Sequence, residues 1–123
     1  MTYRVGDVVC CNYCDFEGEK RVGIFVIVYN EQYDRKYTGG HSNITVAKIT
    51  TNNFVGNSYT VPLRKGDAGL DSSCLINLSK LHTFKQEQAY KLIGRLNKQQ
   101  MTSLFKEYRK FLNESLDQIL ERC

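Results

Sequence analysis

Six consecutive β-branched or aromatic residues, Ile24 to Tyr29 (IFVIVY), set the first constraint on this chain. A strand that alternates apolar with polar residues buries one face, whereas an unbroken run buries both. The fold must therefore cover two sides of a sheet, and 123 residues suit one core rather than two. We expect a single domain over residues 1–123.

Other segments supply strands around this one. Val5 to Tyr13 (VGDVVCCNY), Ile44 to Thr50 (ITVAKIT) and Ser58 to Leu63 (SYTVPL) are short and β-rich. Pro62 puts the last of these at a sheet edge or at the strand's end, because proline has no N–H for a ladder. Cys74 to Leu78 and Lys80 to Thr83 read as one bent strand or two short ones. Cys14 to Gly23, Asn30 to Asn43 and Lys65 to Ser73 are polar and glycine-bearing, and read as loops and turns.

The period then changes. Gln86 to Leu96 (QEQAYKLIGRL) reads as a short helix. From Lys98 to Glu121, Met101, Leu104, Phe105, Tyr108, Phe111, Leu112, Leu116, Ile119 and Leu120 recur at helical spacing and form one apolar stripe. Five or six short strands followed by a short and a long helix make an α+β domain. So small a sheet cannot bury both faces alone. It should curl into a barrel, with the long helix as a lid and a second copy of the chain over the remaining apolar surface.

Composition narrows the functional classes. Lys and Arg number 17 against 13 Asp and Glu, a net charge of +4 that permits an anionic partner without demanding one. No apolar run approaches the ~20 residues that span a bilayer, and the start MTYRVGD has no signal-peptide core, so a soluble, cytoplasmic protein is expected. Five cysteines, an odd number with no paired framework, fit a reducing compartment. Cys11 and Cys14 form a CxxC, but Cys74, His41 and His82 are too scattered to complete a zinc site, so no metal or other cofactor is expected. Cys10 and Cys11 read instead as small hydrophobes in a strand.

Nucleotide-loop and hydrolase motifs (GxSxG, Walker A, HExxH, GxGxxG) are absent, and nothing in the spacing of Ser79, His82 and Asp71 fixes a triad. The segment Asn30 to Asn43 carries Tyr33, Arg35, Lys36, Tyr37 and His41. Interleaved rings and cations can stack on unpaired bases and neutralise phosphates; a solvated loop with its tyrosines packed on the barrel is the plainer alternative.

The order of segments resembles the MazF/PemK/Kid toxins, whose SH3-like barrel is shared with CcdB. The resemblance is carried by Gly6-Asp7-Val8-Val9, by Ile24 to Asn30 (IFVIVYN), by Ala47 to Asn52 (AKITTN), by Gly69 to Leu75 (GLDSSCL) and by Leu81 to Lys85 (LHTFK). It implies a homodimeric, metal-independent endoribonuclease that cuts single-stranded RNA and is neutralised by an antitoxin tail in the RNA groove. The implied chemistry is attack of a ribose 2′-OH on the adjacent phosphorus. An Arg at the start of the second strand and a Thr or Ser at the end of the third carry it in the family. The threonine falls on Thr50, with Thr51 beside it. The family's Arg-Pro pair falls on Gly23-Ile24, and the nearest arginine is Arg21, two residues earlier and on the same face of a strand. Glu19 remains as a proton acceptor, and His82, which stands where the family has Arg or Lys and titrates near neutrality, would transfer protons with it or in its place; a partly buried strand histidine bonded to a backbone carbonyl is the plainer alternative. Arg35, Lys36, Tyr33, Tyr37, Lys48 and Lys80 would bind the RNA. The missing Arg-Pro pair keeps a second expectation open: a non-catalytic binding module, such as a phage or mobile element could use against a host or defence protein, as CcdB binds DNA gyrase.

Overall fold

In the computed structural model, residues 3–30, 43–51 and 59–122 are described. Two antiparallel strands, β1 (Asp7–Cys14) and β2 (Lys20–Asn30), form a hairpin around a turn at 15–19. β3 (Asn43–Thr50), β4 (Thr60–Leu63), β5 (Cys74–Lys85) and β6 (Ala89–Arg95) complete a six-stranded antiparallel sheet in the order β4-β5-β3-β2-β1-β6. A helix, α1 (Lys98–Arg122), closes the chain. Pro62 indeed sits on an end strand, β4.

The double-sided burial expected of Ile24 to Tyr29 takes the form of two cores. Val26 and Val28 face one with Val8, Ala47, Ile49, Val61, Leu63, Ile76, Leu78 and Leu104. Phe25 and Ile27 face the other with Tyr3, Val9, Cys11, Ile44, Val46 and Phe84. The first lies under α1 and the second on the opposite face of the sheet, as period-2 alternation requires.

β5 serves both cores by changing register. Lys48 of β3 faces Asn77, but Ala47 faces Leu81, so Leu78, Ser79 and Lys80 stand outside the ladder. An odd insertion reverses which side chains point to which face. Ile76 therefore belongs to the first core, whereas Phe84 belongs to the second. The Asn77 carboxamide oxygen holds the bend by accepting from the Ser79 N–H (3.1 Å) and hydroxyl (2.6 Å).

Two expectations are corrected. Lys20 to Gly23 is strand, not loop. Gln86 to Leu96 is not a helix: Gln86–Gln88 make one 3-10 turn and Ala89–Arg95 are strand β6. β1 pairs with β2 along one edge only, and β6 takes its other edge, with Leu92 opposite Val9 and packed on the second core. Ladder bonds and burial there outweigh the helical letters of YKLIGR. The turn at Asp67–Gly69 closes on β6, where a Cβ on Gly94 would meet the Ala68 carbonyl oxygen at 2.1 Å; only glycine permits this approach. The Gly6-Asp7 segment is structural. Asp7 is buried, accepts the Arg4 N–H at 2.9 Å and pairs with Arg95 of β6 at 3.1 Å.

α1 begins at a reciprocal cap, with Asn97 N–H bonded to Gln100 Oε1 and Gln100 N–H to Asn97 Oδ1, each at 2.8 Å. Leu104 is fully buried, and Met101 and Tyr108 pack beside it. Tyr59 anchors the next turn: its hydroxyl donates to Glu114, and its ring meets Phe111 edge-on at 5.3 Å. The apolar stripe is covered only this far, and Leu112, Leu116, Ile119 and Leu120 are exposed. Among the described residues, no helix is long and apolar enough to cross a membrane.

This uneven docking predicts unequal costs. Leu104→Ala should lower unfolding free energy by about 2–5 kcal/mol, whereas Leu116→Ala should change it by less than about 0.5 kcal/mol. Urea melts of the two variants check this, and equal midpoints would contradict the docking.

Candidate functional site

The site residues expected from the sequence fall mainly on the sheet face of the second core. On β3, Val46 faces that core, so Lys48 and Thr50 follow it on the same side at two-residue steps. β2 opposes them: Phe25 faces Lys48, and the same register continued by two residues sets Gly23 across from Thr50. Thr51 follows β3 in an exposed bend. On β5, His82 pairs with Val46. The register change puts His82 on this face, with Lys80 in the bulge beside it.

Gly23 occupies the position that the resemblance gives to arginine. A Cβ there would lie 2.9 Å from the Phe25 ring and 3.2 Å from the Tyr13 ring. Those rings fill the room a side chain at this position would take.

Arg21 is on β2 opposite Tyr13, exposed, and on the same side as Gly23. Its Nε donates to Asp15 Oδ2 at 3.0 Å. Asp15 lies beyond Tyr13 toward the hairpin tip, so the guanidinium is drawn away from Gly23 and Thr50. Asp15 also accepts the backbone N–H groups of Glu17 and Glu19, both at 2.9 Å. Desolvation pushes the Asp15 carboxyl up, but the Arg21 guanidinium and the Glu19 and Glu17 N–H groups together outweigh it and hold it below the usual carboxylate range. Glu19 sits in this same exposed turn. An Asp followed two residues later by a bonded N–H is a turn signal that the sequence reading passed over.

His82 is half-buried among rings: Phe25 at 5.6 Å, Phe84 at 5.4 Å and Tyr13 at 6.2 Å between centroids. Burial, then the charges of Lys48 and Lys80, depress its pKa below the ordinary histidine value. The folded state thus disfavours the imidazolium form. Along β3 its position is four residues from Thr50, about 13 Å at ~3.3 Å per residue.

Arg35, Lys36, Tyr33, Tyr37 and His41 lie outside the described residues. Cys11 and Cys14, three apart on a strand, face opposite sides of the sheet. Cys11 is buried and its thiol is pushed up to about 12 by burial and by Cys10. Among the described residues, no three His, Cys, Asp or Glu side chains cluster as metal ligands would. A cavity of about 570 Å³ lies elsewhere, between β4 and the start of α1, with Thr60, Arg64, Asp67 and Gln100 in its wall. None of the expected site residues lines it.

The electrostatics can be tested directly. In Lys48→Met/Lys80→Met, the His82 pKa should rise toward its ordinary value, read from the imidazole C–H shifts by NMR titration; an unmoved titration would show that burial alone sets it. The sign for stability follows. A depressed folded pKa means that the unfolded chain binds the proton first, so His82 lowers stability as pH falls below about 6.5.

Comparison with known proteins agrees with this architecture. The sequence model of a family described as "PemK-like, MazF-like toxin of type II toxin-antitoxin system" matches residues 4–112. No curated protein matches. Among solved structures, the chain is similar to an endoribonuclease in complex with its cognate antitoxin from a Mycobacterial species. The TM-score is 0.68 at 16% identity, covering 91% of this chain and 96% of that one. It is also similar to the Mycobacterium tuberculosis toxin MazF-mt6, with a TM-score of 0.66 at 20% identity, covering 87% and 96%. These identities establish a shared fold.

Proposed function

Because the chain belongs to the family of PemK-like, MazF-like toxins of type II toxin-antitoxin systems, we propose that it is a metal-independent endoribonuclease acting on single-stranded RNA. The observation that carries this reading is the shared face of β3 and β5, where Thr50, Lys48 and His82 follow one another by register and the charge of Lys80, in the bulge, reaches His82. Such a row suits a threaded polyanion better than a compact small molecule.

In this reading the ribose 2′-oxygen attacks the adjacent phosphorus as its proton passes to a base. The bond from phosphorus to the 5′-oxygen breaks, and that oxygen takes up a proton. Thr50 holds the scissile phosphate, with Thr51 beside it, and Lys48 adds charge. Arg21 exchanges Asp15 for the phosphate. An exposed ion pair contributes at most about 1 kcal/mol, and a guanidinium bonds a phosphate by two parallel N–H groups. Glu19, two residues before Arg21, serves as the proton acceptor. His82 serves a neighbouring nucleotide, given its distance along β3.

We further propose a homodimer, formed over the exposed leucines of α1 or the open sheet face, and a cytoplasmic toxin held in check by an antitoxin peptide. A second reading, a non-catalytic binder of a protein target, is favoured by Gly23-Ile24 in place of Arg-Pro and by the rings packed over Gly23.

Purified protein should cut a mixed-sequence RNA in EDTA and leave 2′,3′-cyclic phosphate ends. RNA left intact at micromolar protein over an hour would favour the second reading. Thr50→Ala and Arg21→Ala should each relieve growth arrest on expression, and arrest undiminished in both would remove their assigned roles. Light scattering should give twice the 14.2 kDa chain mass; a monomer at high concentration would refute the dimer.

A further inference from the structure

Four rings meet on the sheet face beside Lys48 and Lys80. Tyr13 and His82 each lie near-parallel to Phe84, at 25° and 23° with centroids 5.8 and 5.4 Å apart, and are tilted 43° to each other at 6.2 Å. Phe25 stands edge-on to all three, at 81–87°. Phe25 and Phe84 are buried, whereas Tyr13 and His82 are half-buried. The floor is thus held from beneath by apolar rings, and its outer members each carry a polar edge.

We propose that Tyr13 and His82, tilted 43° to each other, form a platform on which one unpaired nucleobase packs, its face on one ring and its edge against the other, with Lys48 and Lys80 engaging the phosphates on either side of it. The ligand class, single-stranded RNA, rests on the ribonuclease reading above; the platform itself rests on ring geometry and charge. An imidazole whose charged form is disfavoured beside two lysines suits this task, because it offers a π-face. A cavity of about 470 Å³ opens on the hairpin side of Tyr13, with Lys20, Arg21 and Gln88 also in its wall but not His82, Lys48 or Lys80. Its cations and amide offer partners for a phosphate and a base edge.

The platform also accounts for the glycine. A Cβ at position 23 would lie 2.9 Å from the Phe25 ring and 3.2 Å from the Tyr13 ring, so an arginine there would require these rings to shift. The chain has a base-sized aromatic surface where the family pattern has a guanidinium.

The probe is a fluorescein-labelled, mixed-sequence 2′-O-methyl decanucleotide, which has no free 2′-OH and cannot be cut. Anisotropy should show binding to the wild-type protein. Tyr13→Leu and His82→Ala should each weaken it by roughly 5- to 150-fold, the range of one lost base stack. His82→Phe and Tyr13→Phe should restore binding, which separates lost stacking from misfolding, with circular dichroism as the check on fold. Lys48→Gln and Lys80→Gln should each weaken binding and flatten its salt dependence by about one phosphate contact. Equal affinity of wild type, Tyr13→Leu and His82→Ala would overturn the platform, as would no binding at 100 µM oligonucleotide; cleavage of natural RNA would still decide the ribonuclease reading separately. Ring-dependent binding with no cleavage would keep the platform and sink the nuclease.

Discussion

Three residues outside the β3–β5 ladder, Leu78, Ser79 and Lys80, govern where everything else on β5 points. Were they kept in a regular ladder, His82 and Phe84 would share the face of Ile76 under α1. With them outside it, the first half of β5 packs under the helix and the second half packs on the opposite core. The cost is a locally broken ladder, and the Asn77 carboxamide offsets it by binding the Ser79 N–H and hydroxyl. One side chain thus converts a strand that could serve a single face into one that serves two.

The same break explains the electrostatics of the sheet face. Lys80 leaves the ladder at the bulge and Lys48 stays in it, so His82 experiences both charges while half-buried. Opposite them, the β1–β2 hairpin is closed by Asp15, which takes two backbone N–H groups and Arg21. Arg21 is therefore held by a carboxylate of the chain itself, and the Tyr13 and Phe25 rings crowd Gly23 two residues along β2.

Much of this was legible in the residues. The IFVIVY run announced a doubly covered strand, Pro62 an end strand, and the stripe from Met101 to Leu120 the terminal helix. β6 was hidden because YKLIGR has no strict alternation; what makes it a strand is the free edge of β1, a tertiary fact. The reversal on β5 was hidden for a related reason: a register is a property of two strands, and neither sequence shows the skipped residues. Threonine and lysine positions on β3 could be placed by counting in twos, since that strand is regular up to its last pair. The partner of Arg21 could not, because residues 14–23 look like loop in sequence and only the turn at 15–19 brings Asp15 beside it.

Past Ser115, every described residue of α1 is exposed. Its final two turns stand on backbone hydrogen bonds alone, and a free helix of that length is marginal in water. Local opening should therefore start at the carboxyl end of the chain and run inward to the Tyr59 anchor. That end carries the exposed Leu116, Ile119 and Leu120, so fraying there sheds an amphipathic tail rather than merely loosening a terminus.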